Sequence, residues 1–396
     1  MSVDYQTTFL KLNLWLVNNP RSYDLLDIKS TRIFIFILHF SRNSKFFKLL
    51  TAPLIFISER YLNILRFIFG AKKKRYVQSD ALIVRAYISY FSKIGDEFYL
   101  KKAIEILKWI KTQRSPGYKY FCWGQPYNWY SRKIIPKTTP RATVTTQVVN
   151  AFLDAYTITN EKEYLDIAIS ACNFFIEHLK GKHVSKDEIC FSYTSIDDYC
   201  IHNANMLVAA VLFRVWHITK DNKLKSYGAR AMNYTVRNQK EDGSWYYWGP
   251  PDKIIGKIDH YHTGFVLESL WVIKEYLKDE FPYEAELSKG IEYYIFHLFN
   301  NDDLPKLTNK KTYPIDIQSC AQAIITLGTL SSNSSTYVVR ANHVAKWTLE
   351  NMFNKRGYFY YRKYKNGKID KTPYNRWGES WMLRALTFLI ENKNES

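Results

Sequence analysis

The chain has 396 residues, with 56 Lys+Arg against 37 Asp+Glu, a formal charge of +19, and 17% aromatic residues. With 46% apolar residues and only 15 Gly and 12 Pro, disorder and a collagen-like chain are excluded. The five cysteines are odd in number and widely spaced without a CxxC pair, which excludes a disulfide scaffold and fits a reducing compartment.

The opening residues, MSVDYQTTFLKLNLWLVNNP, carry an early acid and no small-residue cleavage site after an apolar run. A cytoplasmic address is therefore expected. Residues 1–79 hold 13 Lys+Arg against 4 Asp+Glu, almost half of the net charge in a fifth of the chain. Two apolar stretches lie among them, Ile33 to Phe40 and Phe46 to Phe69, the second followed by Lys72-Lys73-Lys74-Arg75. Pro53 and Ser58-Glu59-Arg60 interrupt the second, so neither reaches the roughly 18 apolar residues of a spanning helix. Such a Lys/Arg-flanked amphipathic segment suits peripheral contact with an anionic membrane surface; packing on the outside of the main domain is the alternative. Residues 1–76 are thus expected to form a basic, partly amphipathic helical extension.

From residue 77 onward the chain repeats itself. Six segments of small and apolar residues at helical spacing open on a polar cluster: Val77–Gly95, Pro140–Thr159, Ile201–Thr219, Asp259–Leu277, Tyr313–Leu330 and Pro373–Glu391. Their starts lie 54 to 63 residues apart. A more polar amphipathic helix follows each of the first five, as in DEFYLKKAIEILKWIKTQ and EKEYLDIAISACNFFIEHL. Aromatic loops lead back to the next apolar helix, among them GYKYFCWGQPYNWYSR, CFSYTS, DGSWYYWGPP and GYFYYRKYKNG. Six helix–loop–helix units of this length predict an all-α (α/α)6 toroid over residues 77–396, an open solenoid being the competing geometry. Ala151, Ala155, Ala209, Ala210, Gly264, Ala321 and Ala323 suit close approach in an inner ring. Amphipathic helices suit an outer ring with one face in water. The last inner helix lacks an outer partner downstream, and helices before residue 77 are the available supply.

In that geometry all inner-helix N-termini and the aromatic loops meet on one face, where unpaired N–H groups favour anionic or hydroxyl-rich ligands. Asp80, Thr143 and Asp316 are accounted for as helix caps. His202, His260, His262, Arg376 and Glu379 are poor or unusual caps, although Glu379 also suits a capping box. Asp259 and His262 stand three apart at a helix start and share a face, as general acid–base chemistry requires. With His202 and Glu379 they form the expected catalytic set. Asp259 and Glu379 are a carboxylate pair of the kind glycosidic hydrolysis needs, whereas an epimerase or lyase would use a His or Tyr base. The expected substrate contacts are Trp123, Tyr127, Trp129, Arg132, Tyr193, Asn203, Asn205, Trp245, Tyr247, His260, Gln318 and Arg376. Aromatic faces pack on the C–H-rich faces of sugars while hydroxyls reach polar neighbours. Tyr246, Trp248, Tyr358, Tyr360, Lys253 and Arg362 extend the same aromatic and basic cleft.

Three resemblances accompany these readings. Gln239-Lys240-Glu241-Asp242-Gly243-Ser244-Trp245 resembles one copy of the Q-x-x-D-G-S-W repeat of squalene cyclases, which implies a toroid; the D-x-D-D motif of terpene cyclases is missing. Asp198-Tyr199-Cys200 and Tyr261-His262-Thr263 resemble the zinc-ligand motifs of protein prenyltransferase β subunits. That likeness implies Asp198, Cys200 and His262 as zinc ligands in a minor reading; no metal or cofactor is otherwise expected. The broadest resemblance is to toroid proteins of bacterial and archaeal polysaccharide-biosynthesis clusters, related to six-hairpin glycosidases. It rests on CWGQPYNW, TPRATVTTQVVNAFLDAY, CFSY, NANML, QKEDGSW, DHYHTGF and RWGESWMLRAL. It implies a glycan context and the toroid fold.

The leading expectation is an enzyme acting on a polysaccharide, oligosaccharide or lipid-linked glycan, acidic sugars included, by hydrolysis, elimination or epimerisation. A non-catalytic carbohydrate-binding or scaffold subunit and a zinc-dependent transferase are the alternatives. No nucleic-acid-binding motif is present, so nucleic acid is not an expected partner.

Overall fold

The computed structural model describes residues 4–43, 62–130, 134–252, 257–332 and 334–391. Residues 46–61 of the second apolar stretch, together with Arg132 and Lys253, lie outside them. The first helices are α1 (Tyr5–Asn18), α2 (Arg32–Asn43) and α3 (Leu62–Ile68). The repeats then run as α4 (Val77–Ile94), α5 (Glu97–Thr112), α6 (Ala142–Thr159), α7 (Lys162–His178), α8 (His202–Thr219) and α9 (Asn222–Arg237). They continue as α10 (His260–Leu277), α11 (Glu284–His297), α12 (Ile317–Thr329), α13 (Ser335–Met352) and α14 (Ser380–Leu386). Short two-residue strands β1 (Trp129–Tyr130) and β2 (Ile134–Ile135) pair antiparallel, as do β3 (Lys182–Ser185) and β4 (Glu188–Cys190). A three-stranded sheet of β5 (Ile315–Asp316), β6 (Arg362–Lys363) and β7 (Ile369–Asp370) borders α12.

Helices α4, α6, α8, α10, α12 and α14 each pack on the next, and α14 packs back on α4, so the inner ring closes. The fold is an all-α toroid, as the repeat predicts. Small residues set the spacing: a Cβ on Gly264 would lie 2.8 Å from Gln322 Cγ and 2.9 Å from Thr326 Oγ1, so α10 and α12 meet only because none is there.

The connections alternate in length for a local reason. Inner helices α4, α6 and α8 end on left-handed residues, Gly95 (φ 80°), Asn160 (φ 56°) and Lys220 (φ 59°). The next residue is already the N-cap of the outer helix; Asp96 accepts from Phe98 N and Asp221 from Lys223 N. The turns at that end are therefore tight. The return loops are long, and they all gather at the N-terminal ends of the inner helices.

The sixth outer position is taken by α1, which packs on α14. Asp4 caps it by accepting from Thr7 N at 2.9 Å. Phe9, Leu12 and Leu16 are buried in the main core, and the Phe9 ring stacks on Tyr90 with centroids 4.3 Å apart. Thus residues ahead of the first repeat complete the ring. The segment that follows is tied to the same body: Arg66 of α3 is buried, with Nε 2.9 Å from Asp27 Oδ2 and Nη2 donating to Tyr374 Oη. The opposite faces of these helices stay apolar and open to solvent, with Phe36 65% and Phe67 89% exposed. Among the described residues no helix is long and apolar enough to cross a membrane.

The Q-x-x-D-G-S-W segment is a clasp between α9 and α11. Gln239 Nε2 donates to Gly243 O and Glu286 O, and Trp245 Nε1 donates to Thr235 O. Gly243 has φ of 86°, and a Cβ there would lie 2.3 Å from Lys289 O, so both conformation and space demand glycine.

If α1 completes the ring, Phe9→Ala should destabilise the protein by about 3–5 kcal/mol in urea unfolding, as deletion of a buried aromatic ring does. Leu14→Ala, on the exposed side of the same helix, should stay within about 0.5 kcal/mol. Equal small effects would detach α1 from the core.

Candidate functional site

The long loops and inner-helix N-termini enclose an open cavity of about 220 Å³. Every inner helix contributes: Gln78 from α4, Thr143 and Gln147 from α6, Asn203 and Leu207 from α8, Tyr261, His262 and Phe265 from α10, and Gln318 from α12. The last repeat supplies Arg376, Trp377 and Trp381. Loops add Gln125, Trp129, Tyr193 and Tyr247, and the N-terminal segment adds Leu26. A narrow side recess of about 10 Å³ shares Asn203, Tyr247 and His262 and reaches His202, Trp245, Tyr246, Lys257 and Asp259. Amides and aromatic rings dominate the wall. Such a composition suits hydroxyl-rich rings.

The free helix N–H groups expected at this face are largely occupied. Loop carbonyls take the first ones: Ala142 N donates to Tyr193 O, His202 N to Tyr247 O and Ile317 N to Tyr361 O. Asp316 caps Gln318 N at 3.0 Å, as expected of it. Asp80 is not a cap. It lies inside the first turn of α4, paired with Arg75 at 2.6 Å, and burial raises its carboxyl to about 6 although Arg75 opposes the shift. Recognition at this face therefore falls to side chains.

One wall carries an acid–base pair. Asp259 is the N-cap of α10: Oδ1 accepts from His262 N at 3.0 Å, and Oδ2 lies 2.7 Å from His262 Nδ1. A carboxylate on Nδ1 fixes the tautomer that leaves Nε2 as a proton acceptor and stabilises the imidazolium formed on accepting. The ring is flanked by Tyr261 and Tyr247, at 4.2 and 4.5 Å between centroids. Burial holds both phenols well above their ordinary pKa, so they remain donors at neutral pH. Among the described residues lining the cavity and its recess, Asp259 is the only carboxylate.

The opposite wall is cationic. Arg376 is buried and paired with Asp24 through Nε (2.6 Å) and Nη2 (2.9 Å), and Nη2 also donates to Tyr127 Oη. Burial disfavours an ionised Asp24, but the Arg376 charge and its hydrogen bonds outweigh burial and hold the carboxyl below its usual value. Arg141 lies under Trp129 and beside Tyr127, with Cζ 4.9 and 5.6 Å from the ring centroids.

The remaining expected residues divide plainly. Trp129, Tyr193, Asn203, Tyr247, His262, Gln318 and Arg376 line the cavity; Asp259, His202 and Trp245 reach it only through the recess. Trp123 is in the core, donating Nε1–H to Ile110 O, and Tyr127 lies behind Arg376. Asn205 is a buried clasp, accepting from Phe191 N and donating to Ala231 O and Thr235 Oγ1. His260 is buried against Tyr294, and burial lowers its pKa to about 3; that of His202 falls to about 4 for the same reason. Both imidazoles are neutral at physiological pH. Glu379 does not line the cavity. A π-turn over Asn375–Glu379 rotates it into the protein, where Oε2 accepts from Phe359 N at 2.9 Å and fixes the preceding loop.

The three residues implied as zinc ligands do not converge. Asp198 is exposed and 3.7 Å from Lys182, Cys200 is buried with Cys190 and Tyr234, and His262 Nδ1 is held by Asp259. Among the described residues no group of three or more His, Cys, Asp or Glu is placed to hold a metal.

Several wall residues escape a sequence reading. Asp24 and Leu26 are remote in sequence from the repeats, and Gln125, Gln147, Tyr261 and Trp381 lie within CWGQPYNW, TPRATVTTQVVNAFLDAY, DHYHTGF and RWGESWMLRAL, where nothing local separates cavity-facing residues from core ones. Arg141 stands at the start of a predicted inner helix, within the same TPRATVTTQVVNAFLDAY segment.

No protein-family profile matches the chain, and no curated protein matches it in sequence. Solved structures do match. A glycoside hydrolase family 76 α-mannanase of Bacteroides thetaiotaomicron superposes with a TM-score of 0.66 at 12% identity, covering 99% of this chain and 97% of that one. A cellobiose 2-epimerase from Bacillus thermoamylovorans gives 0.63 at 12% identity, covering 81% and 90%. An unsaturated glucuronyl hydrolase specific for heparin gives 0.60 at 14%, covering 98% of both chains. These neighbours share the (α/α)6 toroid, and this chain has that fold.

The buried Glu379 yields a pH test. Burial raises its pKa, so between the unfolded value of 4.5 and the higher folded value the native state binds more protons than the unfolded one. Its contribution is complete below pH 4.5 and is lost as pH rises. Glu379→Gln should therefore match the wild type near pH 4 and exceed it in stability at neutral pH, read by urea unfolding at both. A variant less stable at pH 7 than at pH 4, relative to wild type, would refute the assignment.

Proposed function

We propose that this protein is a carbohydrate-active enzyme that moves a proton on a sugar, as an epimerase or lyase does, with His262 as the base and Asp259 as its orienting partner. The observation that carries this reading is the composition of the wall: one imidazole–carboxylate pair, protonated tyrosines beside it, and no second carboxylate among the described lining residues. Two carboxylates across the scissile bond are the usual requirement for glycosidic hydrolysis. Here Glu379, the second carboxylate suggested by sequence, is turned away. In the proposed step Nε2 of His262 takes a proton from a carbon made acidic by a neighbouring carbonyl or carboxylate, and a Tyr247 or Tyr261 hydroxyl supplies one to the developing product. The catalytic neighbours of like fold, an epimerase and several glycan-degrading enzymes, agree with a sugar ligand.

The test is product analysis by NMR after incubation with oligosaccharide panels in deuterated water. Solvent deuterium should enter the sugar ring or an unsaturated product should appear. Asp259→Asn and His262→Gln should each lower turnover by about 10²–10⁴-fold while affinity changes little. Binding without turnover in the wild type would turn the reading to a carbohydrate-binding subunit. Unaltered rates in both variants would end the role of the pair.

A second element of the proposal concerns place. We infer a cytoplasmic protein of polysaccharide assembly that rests on an anionic membrane, where lipid-linked sugars are found. The exposed apolar side chains Ile33, Phe36, Ile64, Phe67 and Ile68, in a segment rich in Lys and Arg, support it. The protein should float with vesicles containing phosphatidylglycerol and not with phosphatidylcholine alone. Phe36→Asp with Phe67→Asp should abolish flotation; an unaffected double variant would contradict this placement.

A further inference from the structure

The cavity contains two arginines, and they differ in one respect. Arg376 presents its Nε and Nη2 edge to Asp24 and is fully compensated. Arg141 is only 4% exposed, yet its Nε and Nη2 have no hydrogen-bond partner, and it makes no ion pair with any described residue. The unfilled edge of Arg141 is the same one that Arg376 uses to grip a carboxylate. A buried guanidinium without an anion is costly, because nothing in the protein replaces the water it gave up. Trp129 and Tyr127 lie close enough for cation–π contact, which recovers only part of that cost. Arg141 also lines the cavity itself, alongside Gln78, Gln125 and Gln147.

We propose that Arg141 is the anchor for an oxoanion carried on the sugar, a hexuronate carboxylate or a sugar phosphate, held at the unfilled guanidinium edge. The inference rests on the glycan reading above and makes it narrower: the ligand is an acidic sugar. The amides of Gln78, Gln125 and Gln147 suit the hydroxyls around such a group, and Trp129 suits its ring face. Of the basic side chains in the recess, Lys257 is exposed and His202 is neutral at physiological pH, so neither is a second buried cation for the anion. Because Arg376 is neutralised by Asp24, Arg141 is the uncompensated buried cation of the two arginines lining the cavity.

The experiment is titration calorimetry of the full chain with hexuronate oligosaccharides from pectate, alginate and heparosan, with the same oligosaccharides after carboxyl reduction, and with glucose 1-phosphate. Wild-type protein should bind the carboxylated or phosphorylated sugars about 10- to 100-fold more tightly than the reduced ones. Arg141→Gln should abolish that difference, so that native and reduced oligosaccharides bind the variant alike. Preference for hexuronate or for phosphate identifies the source of the anion, and either supports the proposal. The native-versus-reduced comparison in wild type needs no variant, so a misfolded Arg141→Gln leaves it decisive. Equal binding of native and reduced sugars, or a preference that Arg141→Gln retains, would overturn the anion site alone. Binding of none of these sugars would overturn the glycan reading with it.

Discussion

The structure depends on charges in the bore of the inner ring. Asp154 of α6 accepts from Arg85 of α4 (2.9 Å) and Arg214 of α8 (2.7 Å), while Glu268 of α10 pairs with Arg384 of α14 and accepts from Gln322 of α12 at 3.0 Å. Arg85 Nη1 also donates to Gln147, one of the cavity-lining amides. All six inner helices thus meet through charged or amide side chains. An apolar plug would close the bore equally well, but paired charges require each helix to be in register with its neighbours, since an unpartnered one would cost about 3–5 kcal/mol. The network lies beneath the cavity and turns a ring into a cup. Small residues let the helices approach, and the charges fix how they meet.

The cup then sorts its own charges. Asp24 cancels Arg376, and Asp259 engages His262, so both pairs are set by the fold before a ligand arrives. Asp24 belongs to the N-terminal segment, which therefore completes the wall as well as the outer ring. This is why the extension cannot be treated as an appendage of the site. Its other surface is apolar and basic, and a single segment joins the cup to whatever that surface contacts.

Legibility in the sequence followed locality. The sixty-residue period, the small residues of the inner helices and the missing sixth outer helix could be read because each depends on spacing within one repeat. His262 and Asp259 were readable for the same reason, being three apart on one helix start. Asp24 was not, because its partner stands 352 residues away. Aromatic loops were visible as loops, yet nothing in them separates Trp129, which faces the cavity, from Trp123, whose indole bonds Ile110 inside the core. Glu379 was misdirected by a single local event: the π-turn changes the angular position of everything after Tyr374, so helical spacing counted from Asn375 points to the wrong side. Asn205 and His260 mislead in another way, as buried polar residues that satisfy neighbours in the protein.

The proposed sugar site is the cup formed by the inner-helix N-termini. Hydrogen–deuterium exchange with and without bound oligosaccharide tests it most directly. A sugar in the cup should slow exchange in peptides covering residues 76–82, 141–147, 202–207, 259–265 and 316–322, with the outer faces of α5, α7 and α9 unchanged. Protection confined to the outer helices, or none at a ligand concentration that saturates binding, would contradict it.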